Sequence, residues 1–225
     1  MPCEAPFTRV SAAAFEIPTD APEADGTLEW DRTVLVVAEI DAGGQTGLGY
    51  TYADGSIVPL IQGKLGSVIS GHSAFEIPAA NKALWRSIRN LGRSGLVATA
   101  ISAVDAALWD LKGKLLGTSV AELLGRCRDT VPIYGSGGFT TYSDRQLRDQ
   151  LSGWAESEGC QWVKMKIGSD PQRDPQRVAA ARKRNWRRRA IRRCQRRVFG
   201  QTGSGLGRAH RRTRCHMVRG AGQLR

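Results

Sequence analysis

The sequence predicts an α/β chain in two styles, a small antiparallel sheet followed by helices and then consecutive parallel βα units. Three observations predict it. Up to residue 53, short segments rich in Val, Ile, Thr and Tyr alternate with turn-rich stretches. Between residues 73 and 124 helical periodicity dominates. From Arg126 onward strand, helix, strand and helix patterns recur at a spacing of roughly 30 residues, which is the signature of parallel βα units.

The strand segments of the first part are Val10 to Ile17, Thr33 to Ile40 and Gly47 to Ala53, separated by turn-rich stretches at Pro18 to Gly26 and Asp41 to Gln45. Ser73 with Glu76 has the spacing of a capping box before a helix over Ala79 to Leu91, whose Leu84, Ile88 and Leu91 share a face. Ser94 to Leu116 is Ala-rich, with Val97, Ile101, Val104, Leu108 and Leu111 at helical spacing, and Gly117 stops it. Ser119 with Glu122 caps a short helix, Val120 to Leu124. In the second part Val131 to Gly135 is a strand, and Ser143 with Gln146 caps a helix to about Glu158. Trp162 to Ile167 is the next strand, and a helix begins at Asp174. After Lys183 neither helical nor strand periodicity remains. The expected domains are therefore 1–125, 126–183 and an Arg-rich tail, 184–225, that is disordered or non-native.

The charge divides at the same place. The 225 residues carry 33 Lys+Arg against 21 Asp+Glu, a formal net charge of +12. Residues 184–225 hold 14 arginines and no acidic residue, which leaves a body at −2 and a tail at +14. No apolar run is long enough to span a membrane. Glu4 stands where a signal peptide carries positive charge and no apolar segment follows, so the expected location is cytoplasmic. Five scattered cysteines without CxxC spacing argue against a disulfide framework, and Cys194, His210, Cys215 and His216 fit no zinc module.

Lys164 and Lys166 carry the chemistry. Side chains alternate along a strand, so both lysines project to one face and Met165 to the other. Two close ammonium groups repel, which lowers the proton affinity of one and yields a lysine base near neutral pH. Lysines on a solvated edge strand give the same tripeptide. The packed interior of a parallel barrel, where charge is costly unless used, favours the first reading.

The residues Ala100-Ile-Ser-Ala-Val-Asp-Ala-Ala-Leu-Trp-Asp-Leu-Lys-Gly-Lys-Leu-Leu-Gly117, Val120-Ala-Glu-Leu-Leu-Gly125, Val131-Pro-Ile-Tyr134 and Val163-Lys-Met-Lys-Ile-Gly168 follow one another in a recognisable order and spacing. With them the chain resembles, over about residues 7–183, the mandelate racemase and muconate lactonizing enzyme family of the enolase superfamily. The resemblance implies an α+β capping domain followed by the first two βα units of a truncated (β/α) TIM-type barrel. It implies Lys166 as the general base that removes the proton α to a substrate carboxylate, with Lys164 as its electrostatic neighbour. It also implies Mg²⁺ held by three carboxylates to stabilise the enediolate. The loop Thr19 to Thr27 and the loop around Tyr50 to Asp54, with Tyr50 and Thr51 as substrate contacts, correspond to those that close over the site. The implied parent is a homo-oligomer acting on a small carboxylate.

The family's next strands end in Asp-Ala-Asn-Gly and Glu-Glu-Pro, and this chain has neither; no acidic residue follows Asp174. Arginine repels Mg²⁺, so no metal is expected on this chain. Read from the second base of each codon, however, Ala190-Ile-Arg-Arg-Cys-Gln-Arg-Arg197 permits Phe-Val-Asp-Ala-Asn-Gly, its Asp codon opening inside that of Arg193. Cys215-His-Met-Val-Arg-Gly-Ala-Gly-Gln223 likewise permits Val-Thr-Trp-Phe-Glu-Glu-Pro-Val. A shift of frame near Lys183 or Arg184 accounts for both motifs. The hidden Glu-Glu-Pro points to racemisation or dehydration of a 2-hydroxy or sugar acid in the parent. The chain as written is expected to be inactive, with an uncovered edge on its second barrel strand. The competing reading is a nucleic-acid-binding tail in which Trp186 or Phe199 stacks on bases between arginine pairs. Non-specific polyanion binding by the tail is expected in either case.

Overall fold

The computed structural model describes residues 4–182 and the backbone of residues 191–192. The chain separates into two compact units. One comprises residues 1–18 and 32–129, the other residues 19–31 and 130–225. The expectations for residues 183–190 and 193–225 lie outside the described residues.

The first unit is built on a three-stranded sheet in the order β1 (Arg9–Ala24), β2 (Glu29–Ala42), β3 (Gln45–Tyr52). β2 and β3 pair antiparallel from Leu35↔Tyr52 to Ala42↔Gln45, closed by Gly43 and Gly44 at φ +56° and +78°. Those two positive φ values are what a two-residue turn of the primed type requires, and glycine adopts them without strain. Alternate residues of β2, Val36, Ala38, Ile40 and Ala42, are buried. They face a core that includes Ile101, Val104, Leu108 and Leu111 of the long helix α4 (Leu96–Leu116). On β3 the two buried positions are glycines. A Cβ on Gly47 or Gly49 would overlap the backbone oxygens of Ala107 and Ala103, so the sheet and α4 meet backbone to backbone.

β1 runs seven residues further than the sequence predicts, through the stretch expected to be turn. Its prolines, Pro18 and Pro22, are tolerated because β1 is an edge strand in a sheet ordered β1-β2-β3. The reversal is compressed into Asp25–Leu28, where Asp25 N–H donates to the Leu28 carbonyl at 2.9 Å.

A second difference lies between residues 57 and 69, where no element was expected. Two short helices, α1 (Ile57–Leu60) and α2 (Gly66–Ile69), are joined without a break by a π-helical stretch, Ile61–Leu65. Ile57, Ile61, Leu65 and Ile69 are all buried. Their spacing of four drifts around an α-helix of 3.6 residues per turn, and the wider π turn returns them to one face. After it α3 (Ile77–Ser87) starts two residues earlier than expected. Glu76 accepts from Ser73 N–H at 3.4 Å, but the Ser73 hydroxyl turns to Phe75 N–H and Ala5 N–H, so only half of the box forms. α4 ends at Gly117 in the left-handed conformation, as its sequence predicts, and α5 (Val120–Leu123) carries the complete Ser119/Glu122 box.

The second unit holds a parallel sheet in the order β4 (Tyr134–Ser136), β5 (Trp162–Lys164), β6 (Ile191–Arg192). Helix α6 (Asp144–Glu156) starts at the Ser143/Gln146 capping box that the sequence predicts, and α7 (Asp174–Arg182) follows β5. Leu147 and Leu151 of α6, Val163 and Met165 of β5 and its extension, and Ala181 of α7 form a small separate core. Two expectations change here. Residues 191–192 form a strand in a segment without strand periodicity, and β5 is thereby paired on both sides rather than left with an open edge. Ladder hydrogen bonds come from the backbone, so an edge can recruit a segment whose side chains give no signal.

Candidate functional site

Lys164 closes β5, and Lys166 stands two residues beyond it. Backbone bonds from Gly137 N–H to Lys164 O at 3.1 Å and from Lys166 N–H to Gly138 O at 2.9 Å carry the parallel pattern past the strand end. The approach depends on Gly138, at φ +61°, where a Cβ would come within 2.7 Å of the Met165 Cβ. Val163 and Met165 are buried against α6, while Lys164 and Lys166 are half-buried on the opposite face. Lys164 Nζ lies 5.6 Å from the ring centre of Tyr134 on the neighbouring strand, within range of a cation–π contact.

Burial, and next the charge of Lys164, hold the Lys166 ammonium below the ordinary lysine range, while Asp25 pulls in the opposite direction. Asp25 itself is held below the usual carboxylate range, first by the Thr27 hydroxyl and also by backbone N–H groups and Lys166. The sequence offers Asp25 only as part of a loop expected at Thr19 to Thr27. In the structure most of that loop is strand, and Asp25 opens the tight turn at its end.

The hairpin tip belongs to the second unit. Thr140 N–H donates to Ala24 O at 2.9 Å, Thr141 Oγ1 to Pro22 O at 2.6 Å, and Ser169 Oγ to Asp25 O at 2.8 Å. Trp30 meets Phe139 edge to face at 5.7 Å, and its Nε1 donates to Glu23 at 2.8 Å. Beneath this loop Arg177 of α7, only 5% exposed, donates from its two terminal nitrogens to Tyr142 O at 2.7 Å and Phe139 O at 2.8 Å. Sequence reasoning missed Arg177. Its place on α7 was legible, but not the carbonyls it ties, which lie 35 and 38 residues earlier.

Tyr50 and Thr51 fall both in the strand expected over Gly47 to Ala53 and in the loop that the resemblance implies around Tyr50 to Asp54, and the structure places both in β3, in the first unit. Tyr50 is exposed and stacks edge to face on Tyr52 at 6.5 Å. Alternation on the strand explains the position: Gly49 and Thr51 point inward, Leu48, Tyr50 and Tyr52 outward.

A cavity of about 280 Å³ lies at the first turns of α6 and α7, lined by residues that include Thr140, Ser169, Arg173, Asp174 and Arg177. Neither lysine lines it. Among the described residues no three His, Cys, Asp or Glu side chains converge as a metal site. The donor set for Mg²⁺ is therefore not met by them. No helix among these residues is long and apolar enough to cross a membrane.

Residues 14–125 match the mandelate racemase / muconate lactonizing enzyme N-terminal domain. The chain is 32% identical over 182 residues to D-galactarolactone cycloisomerase of Agrobacterium fabrum, covering 78% of this chain and 48% of that protein. A mandelate racemase/muconate lactonizing enzyme-like protein from Rubrobacter xylanophilus superposes with a TM-score of 0.77 at 49% identity, over 79% of this chain and 49% of that one. L-talarate/galactarate dehydratase from Salmonella typhimurium, liganded with Mg and L-lyxarohydroxamate, superposes with a TM-score of 0.70 at 26% identity, over 80% and 49%. The chain thus spans about half the length of the relatives it matches. Domain match, relatives and superposition agree with one another, and over the residues they match the chain belongs to the mandelate racemase/muconate lactonizing enzyme family of the enolase superfamily.

Proposed function

We propose that this chain carries the base-bearing part of a site that removes the proton α to a carboxylate, with Lys166 as general base and Lys164 as its electrostatic neighbour. The supporting observation is the pair of lysines on one face of β5, Lys166 lowered by burial and by Lys164. An ammonium has no lone pair for a carbon acid, and an amine that sheds its proton more readily does. The substrate class is a 2-hydroxy or sugar acid, in keeping with a galactarolactone cycloisomerase and a galactarate dehydratase among the relatives. Racemisation and dehydration both begin with the same proton transfer. In this reading residues 1–125 cap the site, residues 126–183 begin the barrel, and residues 184–225 are a non-native tail. Tyr50 and Thr51 contribute substrate contacts from the cap.

The chain as written does not turn over. Magnesium, where the family holds it, supplies the electrophile that makes an α-proton acidic enough for a lysine, and the described carboxylates do not gather for it. The missing ligands lie in the shifted frame of the codons for residues 184–225. Proton exchange on galactarate in D₂O, followed by NMR with and without Mg²⁺, tests this. The present chain should exchange nothing, and a protein expressed after the frame is restored near Lys183 should exchange in a Mg²⁺-dependent way that Lys166→Ala abolishes. Exchange by the present chain, or a genomic read through the codons of Arg182 to Asn185 and onward without the Asp-Ala-Asn-Gly and Glu-Glu-Pro coding stretches, would overturn it.

A further inference from the structure

The hairpin tip brings a fixed negative charge to the neighbourhood of Lys166. Oδ1 of Asp25 accepts from Thr27 N–H at 2.7 Å, from Thr27 Oγ1 at 2.6 Å and from Leu28 N–H at 3.1 Å. A carboxylate tied three times into its own turn cannot rotate away, so its charge lies wherever the turn lies. The turn is held at the lysine end of β5. Ser169, three residues after Lys166, donates to the Asp25 carbonyl at 2.8 Å and shares a 2.8 Å bond with Thr140, whose own N–H donates to Ala24 O. The Gly138 carbonyl that receives Lys166 N–H sits two residues before Thr140 in the same loop.

Among the described residues, the charged and titratable groups that act on Lys166 come from three elements. Lys164 is on its own strand, Tyr134 on β4, and Asp25 on the hairpin. Burial and Lys164 favour the neutral amine, whereas Asp25 favours the ammonium, and Asp25 is stabilised by Lys166 in return.

We propose that Asp25 is a positioning residue for Lys166: the seated hairpin tip sets its carboxylate against the Lys166 ammonium, so the residue at the tip decides how readily that amine gives up its proton. The inference rests on the same lysine pair as the proposed function. It does not need turnover, because the proton affinity of one amine can be read directly.

The test uses the full chain. Lys166 is titrated through the pH dependence of its labelling by an amine-reactive reagent, quantified on the Lys166 peptide. Asp25→Asn keeps an Oδ1 acceptor for Thr27 and Leu28 but removes the charge. Its Lys166 should titrate at lower pH, with labelling near neutrality up about threefold, the scale of one partly screened charge contact. Asp25→Glu, which keeps the charge, should stay close to wild type. Equal titration in wild type and Asp25→Asn overturns the proposal, as does an Asp25→Glu protein that follows Asp25→Asn. If Asp25→Asn does not fold, carboxyl ¹³C NMR of the wild-type protein decides. The Asp25 resonance should show a second step as Lys166 loses its proton, and a resonance flat through that range overturns the proposal. Failure here leaves the general-base reading standing, and an inactive chain leaves this inference standing.

Discussion

The two units solve the packing problem differently. In the first, one sheet face, α4 and the helices over residues 57–87 enclose a continuous core in which Ile40, Ile61, Leu65, Leu84 and Leu108 are fully buried. In the second, among the described residues, a few apolar side chains of α6, α7 and β5 form the core, and much of the remaining order comes from hydrogen bonds to loop carbonyls. Apolar packing is insensitive to pH and to any one polar group, whereas a loop held by donors depends on each of them. Lys164 and Lys166, proposed as neighbour and base, belong to the unit whose described residues form less core.

The contrast can be broken from the first side at Gly49. Gly49→Val places its side chain against the Ala103 carbonyl of α4, where backbone cannot yield cheaply, and should cost about 3 kcal/mol or more in urea unfolding. A loss under 1 kcal/mol would mean that the sheet and α4 are less tightly joined than the backbone contact implies. On the second side Arg177→Met keeps most of the volume and leaves the Phe139 and Tyr142 carbonyls without their donor. The expected loss is about 2 kcal/mol, with faster amide exchange confined to the Phe139–Tyr142 loop and the hairpin tip. Exchange unchanged in that loop would show that Arg177 does not hold it. Ser143→Ala removes half of a complete capping box and should cost about 1 kcal/mol, with fraying at the start of α6.

The smallest effect is a pH dependence. Lys166 has a folded value below the ordinary 10.5. Between those two values the unfolded chain binds a proton that the folded chain does not, so stability rises as pH rises through that window. Below the folded value both states are charged and the cost of burying the ammonium is present in full. Lys166→Met should remove the alkaline rise and alter the acid side only through Asp25, which loses the part of its lowering that Lys166 supplies. The acid side belongs to carboxylates such as Asp41, lowered chiefly by its bond to Arg9 at 2.6 Å, whose contribution is lost as pH falls through the folded value. An unchanged alkaline limb in Lys166→Met would remove Lys166 from this account.

Much of the fold was legible in local patterns. The Ser119/Glu122 and Ser143/Gln146 boxes form as spaced because the interaction closes within one turn. Leu108 and Leu111 are buried because a 3.6-residue period keeps them on one face. The segment over residues 57–69 was not legible, since Pro59, Gly63 and Gly66 read as breakers and its apolar period of four matches neither an α-helix nor a strand. The Ser73/Glu76 box is the intermediate case. Its spacing is right, but Ala5 N–H, 68 residues away, competes for the serine hydroxyl.

For the lysine pair, the sequence by itself determined which way the two side chains face. Alternation puts Lys164 and Lys166 together and Met165 against the core, wherever the strand is placed. Only tertiary structure decided what surrounds them. The Asp25 carbonyl receives its hydrogen bond from Ser169, 144 residues along, and Pro22 receives one from Thr141, 119 residues along. Periodicity and capping act within a few residues and leave a trace in the sequence. A donor meeting a carbonyl across more than a hundred residues leaves none, because any hydroxyl or N–H that the fold delivers there would satisfy it.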